Sequence, residues 1–289
     1  MIRTTLPAPD ARPSAPEAAR DLAESAAPLV RELGVLALAA PIEPAVFFQE
    51  GLDWRWLDRG ELASRVARSH ALLIAGGPLE DVTVSYRSRP DPATLILDLA
   101  LQHAGALPRP QALAGAPAPG GAWIDDPRDP RLEGLEAAEP GSVERWRARA
   151  ELEVAALAAG CSRPLPGRSR WARRWGLAEP REVVIDVLEL ERPLCRSGVA
   201  WTLRRGGALV LAHERSSLTA SMRWARPTRL WAGTAEAHFD DLVAAVLQGR
   251  AGRSSRLLSA VWCGREPPGA GALAALAGAG VEVAGWLPP

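Results

Sequence analysis

Short apolar runs alternate with stretches at helical spacing along most of this chain, and that alternation limits the folds open to it more than any motif does. The runs "EVVIDVLEL" (182–190), "ALVL" (208–211), "RLWAG" (229–233), "LLSAVWCG" (257–264) and "VEVAGWL" (281–287) have the length of strands. Between them, "HFDDLVAAVLQG" (238–249) and "PGAGALAALAGAG" (268–280) have the length and spacing of helices. Strands separated by helices need crossover connections and pair in parallel, so a layered α/β fold is expected. No fixed-period repeat occurs, which excludes a solenoid.

The first half carries the same pattern with clearer punctuation. Leu22, Ala26, Leu29, Val30 and Leu33 share a helical face that ends at Gly34, read as a C-cap. The segment "PAVFFQEGLDWRWLDRGEL" (44–62) predicts a strand, a turn at Glu50-Gly51, a second strand, and a helix capped by Asp58 with Glu61 three residues on. That helix sets Leu62, Val66, Ser69 and Leu73 on one face and stops at Gly76-Gly77. A strand in "DVTVSYRS" (81–88) follows, and beyond Pro90-Asp91-Pro92 an amphipathic helix ends near Gly105. Residues 1–19, rich in proline, read as a disordered leader. The expected division is a first α/β subdomain with its linker over 20–121 and a second over 122–289.

Composition removes several classes of function. All 34 basic residues are Arg, so no Schiff base, lysine general base or phosphate-gripping lysine can come from this chain. A formal net charge of zero gives no basic field for nucleic acid or an anionic membrane. Cys161, Cys195 and Cys263 share no metal spacing and read as reduced thiols, and no apolar run spans a bilayer. A cytoplasmic protein is expected, with no metal and no catalytic residue assigned.

Residues 44–110, from "PAVFFQEGLDWRWLDRGEL" through "GALPRP", resemble the opening subdomain of the adenylate-forming superfamily, which contains acyl-CoA synthetases, aryl-CoA ligases and peptide-synthetase adenylation domains. In that family a "W-x-L-x-x-x-EL" start precedes a "G-x-V-x-V-x-x-R" strand and a helix ending in "AGA-x-x-x-P". The second half is similar in order: "WTLRRGGALVLAHERSSLTASMRWARPTRLWAG" (201–233) resembles the family's helix, "GG-x-L-V-L" strand and following strand. "RLLSAVWCGREPPGAG" (256–271) resembles its "LR-x-V-x-x-GGEPL" strand and turn. The resemblance implies two layered α/β subdomains, as in the family's large N-terminal domain, and ATP, AMP or CoA as ligands.

The departures decide what function is expected. Where the family has a Ser/Thr/Gly-rich phosphate loop ending in Lys, this chain has "AAGCSRPLPGRSRWARRWG" (158–176). Gly160, Ser162, Gly167, Arg168, Ser169 and Arg170 are the degenerate counterpart the resemblance implies, while Pro164 and Pro166 remove N–H donors. Arg163, Arg168, Arg170, Arg173 and Arg174 make either an exposed basic turn or an anion site. The resemblance further implies His213, Gly264, Gly285 and Trp286 at the substrate pocket; for His213 a plain surface position is the simpler alternative. No counterpart of the family's Thr-Glu metal turn or of its small domain with a catalytic Lys follows "VEVAGWLPP".

His238 with Asp241 reads as helix-terminal capping, and Asp125-Asp126 as turn chemistry. Residues 192–216, with a helical run, a Gly206-Gly207 turn and "ALVL", read as a framework that delivers a buried strand. The functional expectation is a truncated, degenerate AMP-binding-like protein without ligase turnover alone, an accessory or binding module partnered by an active synthetase, a carrier protein or itself. An acyl- or aryl-adenylate-forming ligase completed by a partner chain is the alternative.

Overall fold

The computed structural model describes residues 14–51, 53–89, 91–111, 122–124, 183–186, 199–200, 202–204, 206–211, 229–232, 243–244, 247, 259–262 and 269–285. Helices α1 (Ala15–Ala23) and α2 (Pro28–Ala39) come first, followed by the hairpin β1 (Pro44–Glu50) and β2 (Asp53–Asp58). Then come α3 (Arg59–Ile74), β3 (Thr83–Arg87), α4 (Pro92–His103) and β4 (Leu107–Gln111). The strands β5 (Ala122–Ile124), β6 (Val183–Asp186), β7 (Ala208–Leu211), β8 (Arg229–Ala232) and β9 (Ser259–Trp262) precede α5 (Ala270–Gly278) and β10 (Glu282–Gly285).

Two sheets result. The larger runs β10-β9-β8-β6-β7-β1-β2 and the smaller β4-β3-β5. Every pairing is parallel except that of β2 on β1, so the hairpin supplies an antiparallel edge to a sheet otherwise built by crossovers. The α/β class is as expected. The sheets do not follow the division at residue 121, because β1 and β2 lie beside β7 and β5 lies beside β3. Buried residues of α1 to α4 form one continuous core with Val199, Leu203, Leu209 and Leu211.

Local chemistry explains the element ends. The Asp58 carboxylate accepts from the Glu61 backbone N–H at 2.7 Å, and the Asp91 carboxylate accepts from Thr94 at 2.9 Å. Gly51, with φ +64°, turns the hairpin. Past α4, the Ala106 N–H donates to the Leu101 carbonyl and that of Gly105, at φ +77°, to Gln102, the double bond of a Schellman cap. The same device closes the helical residues before β7: Gly207 donates to Thr202 and Gly206 to Leu203. Of the two glycines in that turn it is Gly206 that takes a positive φ, +68°. All four residues of β7 are buried, as a strand between two neighbours requires.

Three sequence expectations change. The chain is helical from Ala15, inside the stretch read as a leader. Pro16 sits in the first turn, where a missing N–H removes no helical bond, and Glu17 accepts from the Ser14 backbone and hydroxyl. Gly34 does not end a helix. It lies inside α2 where α2 crosses α1, and a Cβ there would stand 2.2 Å from the Ala23 nitrogen and 2.7 Å from the Ala19 carbonyl oxygen. The break falls earlier, at residues 24–27, ahead of Pro28. Finally, α4 is not amphipathic: every residue from Thr94 to Gln102 is buried. A helix buried on all sides belongs in the interior, and its polar Thr94, Asp98 and Gln102 are hydrogen-bonded there.

Candidate functional site

Six parallel strands of the larger sheet run in one direction, so their carboxyl ends share an edge: Glu50, Asp186, Leu211, Ala232, Trp262 and Gly285. Open α/β sheets bind ligands outside that edge, where backbone groups and loops converge. Of the pocket residues expected from the resemblance, Gly285 is the last residue of β10 and pairs with Trp262 of β9. His213 and Gly264 each follow a strand end by two residues and Trp286 follows Gly285 by one; all three lie outside the described residues. So do Gly160, Ser162, Gly167, Arg168, Ser169 and Arg170.

The smaller sheet has a polar carboxyl end of its own. Beyond β3, the Ser88 N–H donates to the Gln111 carbonyl and the Arg89 N–H to the Thr94 hydroxyl. The buried Ser85 and Ser88 hydroxyls and Arg89 Nε find no hydrogen-bond partner among the described residues. Behind them the buried Tyr86 hydroxyl donates to the Asp98 carboxylate, which also accepts from the Gln102 amide at 2.7 Å. That network fixes β3 on α4. The Ser85, Ser88 and Arg89 groups take no part in it. The "RSRP" stretch (87–90) carries this chemistry in sequence, but strand ends reveal their polarity only once the sheet direction is known.

A second polar cluster joins residues that no motif connects. His103, at the end of α4, places Nδ1 2.9 Å from the Ser25 hydroxyl and Nε2 3.0 Å from Asp21 Oδ2. The Ser25 hydroxyl also accepts from the Ala27 N–H at 3.2 Å, starting the turn into α2. His70 of α3 lies against His103 with ring centroids 4.1 Å apart. A hydroxyl, an imidazole and a carboxylate here do not make a nucleophile, because Ser25 is buried and acts as a bracket between helices.

Burial holds His70 far below its usual 6.5, at about 4, with the nearby charge of His103 adding to the effect and Asp21 opposing it. The unfolded chain therefore binds the proton more readily between about 4 and 6.5, so stability falls as the pH falls through that window. The hydrogen bond from His103 lowers the Asp21 carboxyl, whose contribution is present above the usual 3.8 and is lost as the pH falls below it. Urea midpoints measured from pH 7 to 4 are expected to fall, and His70→Gln to flatten the fall. An identical profile in the variant would place the acid sensitivity elsewhere.

No family model matches this chain, and no curated protein does. Solved structures do. The N-terminal subdomain of Klebsiella oxytoca NpsA, in complex with 3-hydroxyanthranilyl-AMSN, is similar at TM-score 0.63 and 14% identity, over 90% of this chain and 72% of that one. CmiS6 is similar at 0.62 and 16%, over 96% and 72%. VinN, in complex with L-aspartate, is similar at 0.61 and 14%, over 91% and 76%. At this identity the likeness is one of fold: the chain has the N-terminal fold of the adenylate-forming enzymes, the fold its sequence resemblance implies. Among the described residues no helix is long and apolar enough to cross a membrane.

Proposed function

We propose that a chain with this fold is a degenerate adenylation-type protein without acid-ligase turnover of its own, working as a binding or accessory module beside an active synthetase or a carrier protein. One sequence observation supports the reading: the segment that the resemblance aligns with the phosphate loop holds Pro164 and Pro166 and has no Lys, in a chain whose 34 basic residues are all Arg. Two prolines remove two backbone donors from any phosphate cradle, and a transferring phosphoryl group loses the ammonium that would neutralise it. Arg168, Arg170 and Arg173 keep positive charge there, enough to hold an anion without the loop geometry that catalysis needs.

The aryl acyl group in the NpsA complex and the amino acid in the VinN complex set the choice of acids for the test. Pyrophosphate release from ATP, assayed with aryl acids and amino acids, is expected to be absent for the purified chain. Calorimetric titration with ATP, AMP and CoA is expected to show weak binding that Arg168→Ala, Arg170→Ala and Arg173→Ala together reduce, with the fold intact. Turnover by the chain alone would overturn the proposal, and turnover only with a second chain would favour a ligase completed in trans. Micromolar ATP binding that survives the triple replacement would move the site away from this loop.

A further inference from the structure

Helices from three separate parts of the chain bring potential metal ligands to one place: Asp21 on α1, His70 on α3 and His103 on α4. One ligand atom of each lies within 4.8 Å of the other two. Two imidazoles and a carboxylate suit zinc and its neighbours among the divalent transition ions, and suit magnesium or calcium poorly. We propose that Asp21, His70 and His103 form a binding site for a divalent transition-metal ion, zinc foremost, that staples α1, α3 and α4 together. The site is remote in sequence from the phosphate-loop segment and stands whether or not the chain binds nucleotide.

The distances are close to what an ion needs. Tetrahedral zinc with bonds of about 2.0–2.1 Å sets its ligand atoms roughly 3.4 Å apart. Asp21 Oδ2 and His103 Nε2 are already at 3.0 Å, and a ligand atom of His70 lies no more than 4.8 Å from the pair, so the rearrangement falls mainly on His70. The Asp21 side chain is 56% exposed, which gives the ion a route in and leaves room for a water as fourth ligand. His103, 8% exposed, is the buried wall of the site.

Ser25 makes the site able to exist both with and without metal. Without an ion, the neutral tautomer of His103 with its proton on Nε2 accepts from the hydroxyl at Nδ1 and donates Nε2–H to the Asp21 carboxylate. With an ion on Nε2, the imidazole proton moves to Nδ1 and is donated to the same hydroxyl, which accepts as readily as it donates. A ligating histidine commonly has its second nitrogen held in this way, and the partner fixes both tautomer and ring angle.

The test uses the full chain, stripped with chelator and titrated with zinc by calorimetry and with cobalt(II) by visible absorption. One ion per chain is expected, with a cobalt d–d band and a melting temperature that rises by several degrees at saturating zinc. His70→Gln and Asp21→Asn are each expected to weaken binding at least tenfold. Asp21 is exposed, so D21N reports on binding without endangering the fold. The three cysteines, His213 and His238 are alternative ligands present in every variant. Zinc uptake equal in the parent chain, H70Q and D21N, or no saturable uptake in any of them, would overturn the proposal.

Discussion

Replacing Gly34 by alanine is expected to destabilise the chain by about 3 kcal/mol or more, or to prevent folding, although alanine is the better helix former. Intrinsic propensity favours Ala over Gly by about 1 kcal/mol inside a helix, so propensity and packing predict opposite signs. Packing wins because the added Cβ would meet backbone. The Ala23 nitrogen would lie at 2.2 Å, the Leu22 carbonyl carbon at 2.6 Å and the Ala19 oxygen at 2.7 Å. Backbone cannot rotate aside as a side-chain tip can, so α1 and α2 must separate. That opens the contact among Ala19, Leu22, Val30 and Leu33, all at most 1% exposed. Equilibrium urea denaturation checks the outcome, and a midpoint equal to or above that of the parent chain would disprove close crossing at Gly34.

Arg59→Met is expected to cost roughly 3 kcal/mol, measured the same way, since removing one partner of a buried pair leaves the other without compensation. The Arg59 Nη2 lies 2.7 Å from Glu43 Oε2 and donates to the Gly206 carbonyl, also at 2.7 Å. The Arg59 side chain is 7% exposed and that of Glu43 29%, so Glu43 partly regains water in the variant and the loss sits toward the lower end of the range for such pairs. The arginine ties the start of α3 to the turn before β7, 147 residues away, so its loss loosens the hairpin edge from the parallel part of the sheet. A cycle with Glu43→Gln separates the ion pair from the carbonyl bond. If the single replacement shifted the midpoint by less than a quarter of the expected amount, Arg59 would be an accessory contact and not the fastener between the two parts.

Much of this protein is written locally. The caps at Asp58 and Asp91, the turn at Gly51, the stop at Gly76-Gly77 and the buried strand at 208–211 all follow from residue types within a few positions, because a cap or a turn is satisfied by its own neighbourhood. The α/β class follows too, since strands parted by helices have few other ways to pair. Two local rules point the wrong way. Proline counts against a helix, yet Pro16 sits in a first turn that tolerates it, and a glycine after an apolar face suggests an end, yet Gly34 marks a helix crossing.

Of the candidate site, the sequence offers loop and pocket residues only through a family resemblance, together with their order along the chain. The strand ends that precede His213, Gly264 and Trp286 share one edge, which follows from parallel pairing and from nothing within those residues. Arg59 meets Gly206 and His103 meets Asp21, 147 and 82 residues apart, through α3, α4 and α1 in the positions the core gives them. Periodicity tells which face of an element is apolar. Only the packed structure decides what that face lies against, because burial is shared among all the elements at once while a sequence pattern records one element at a time.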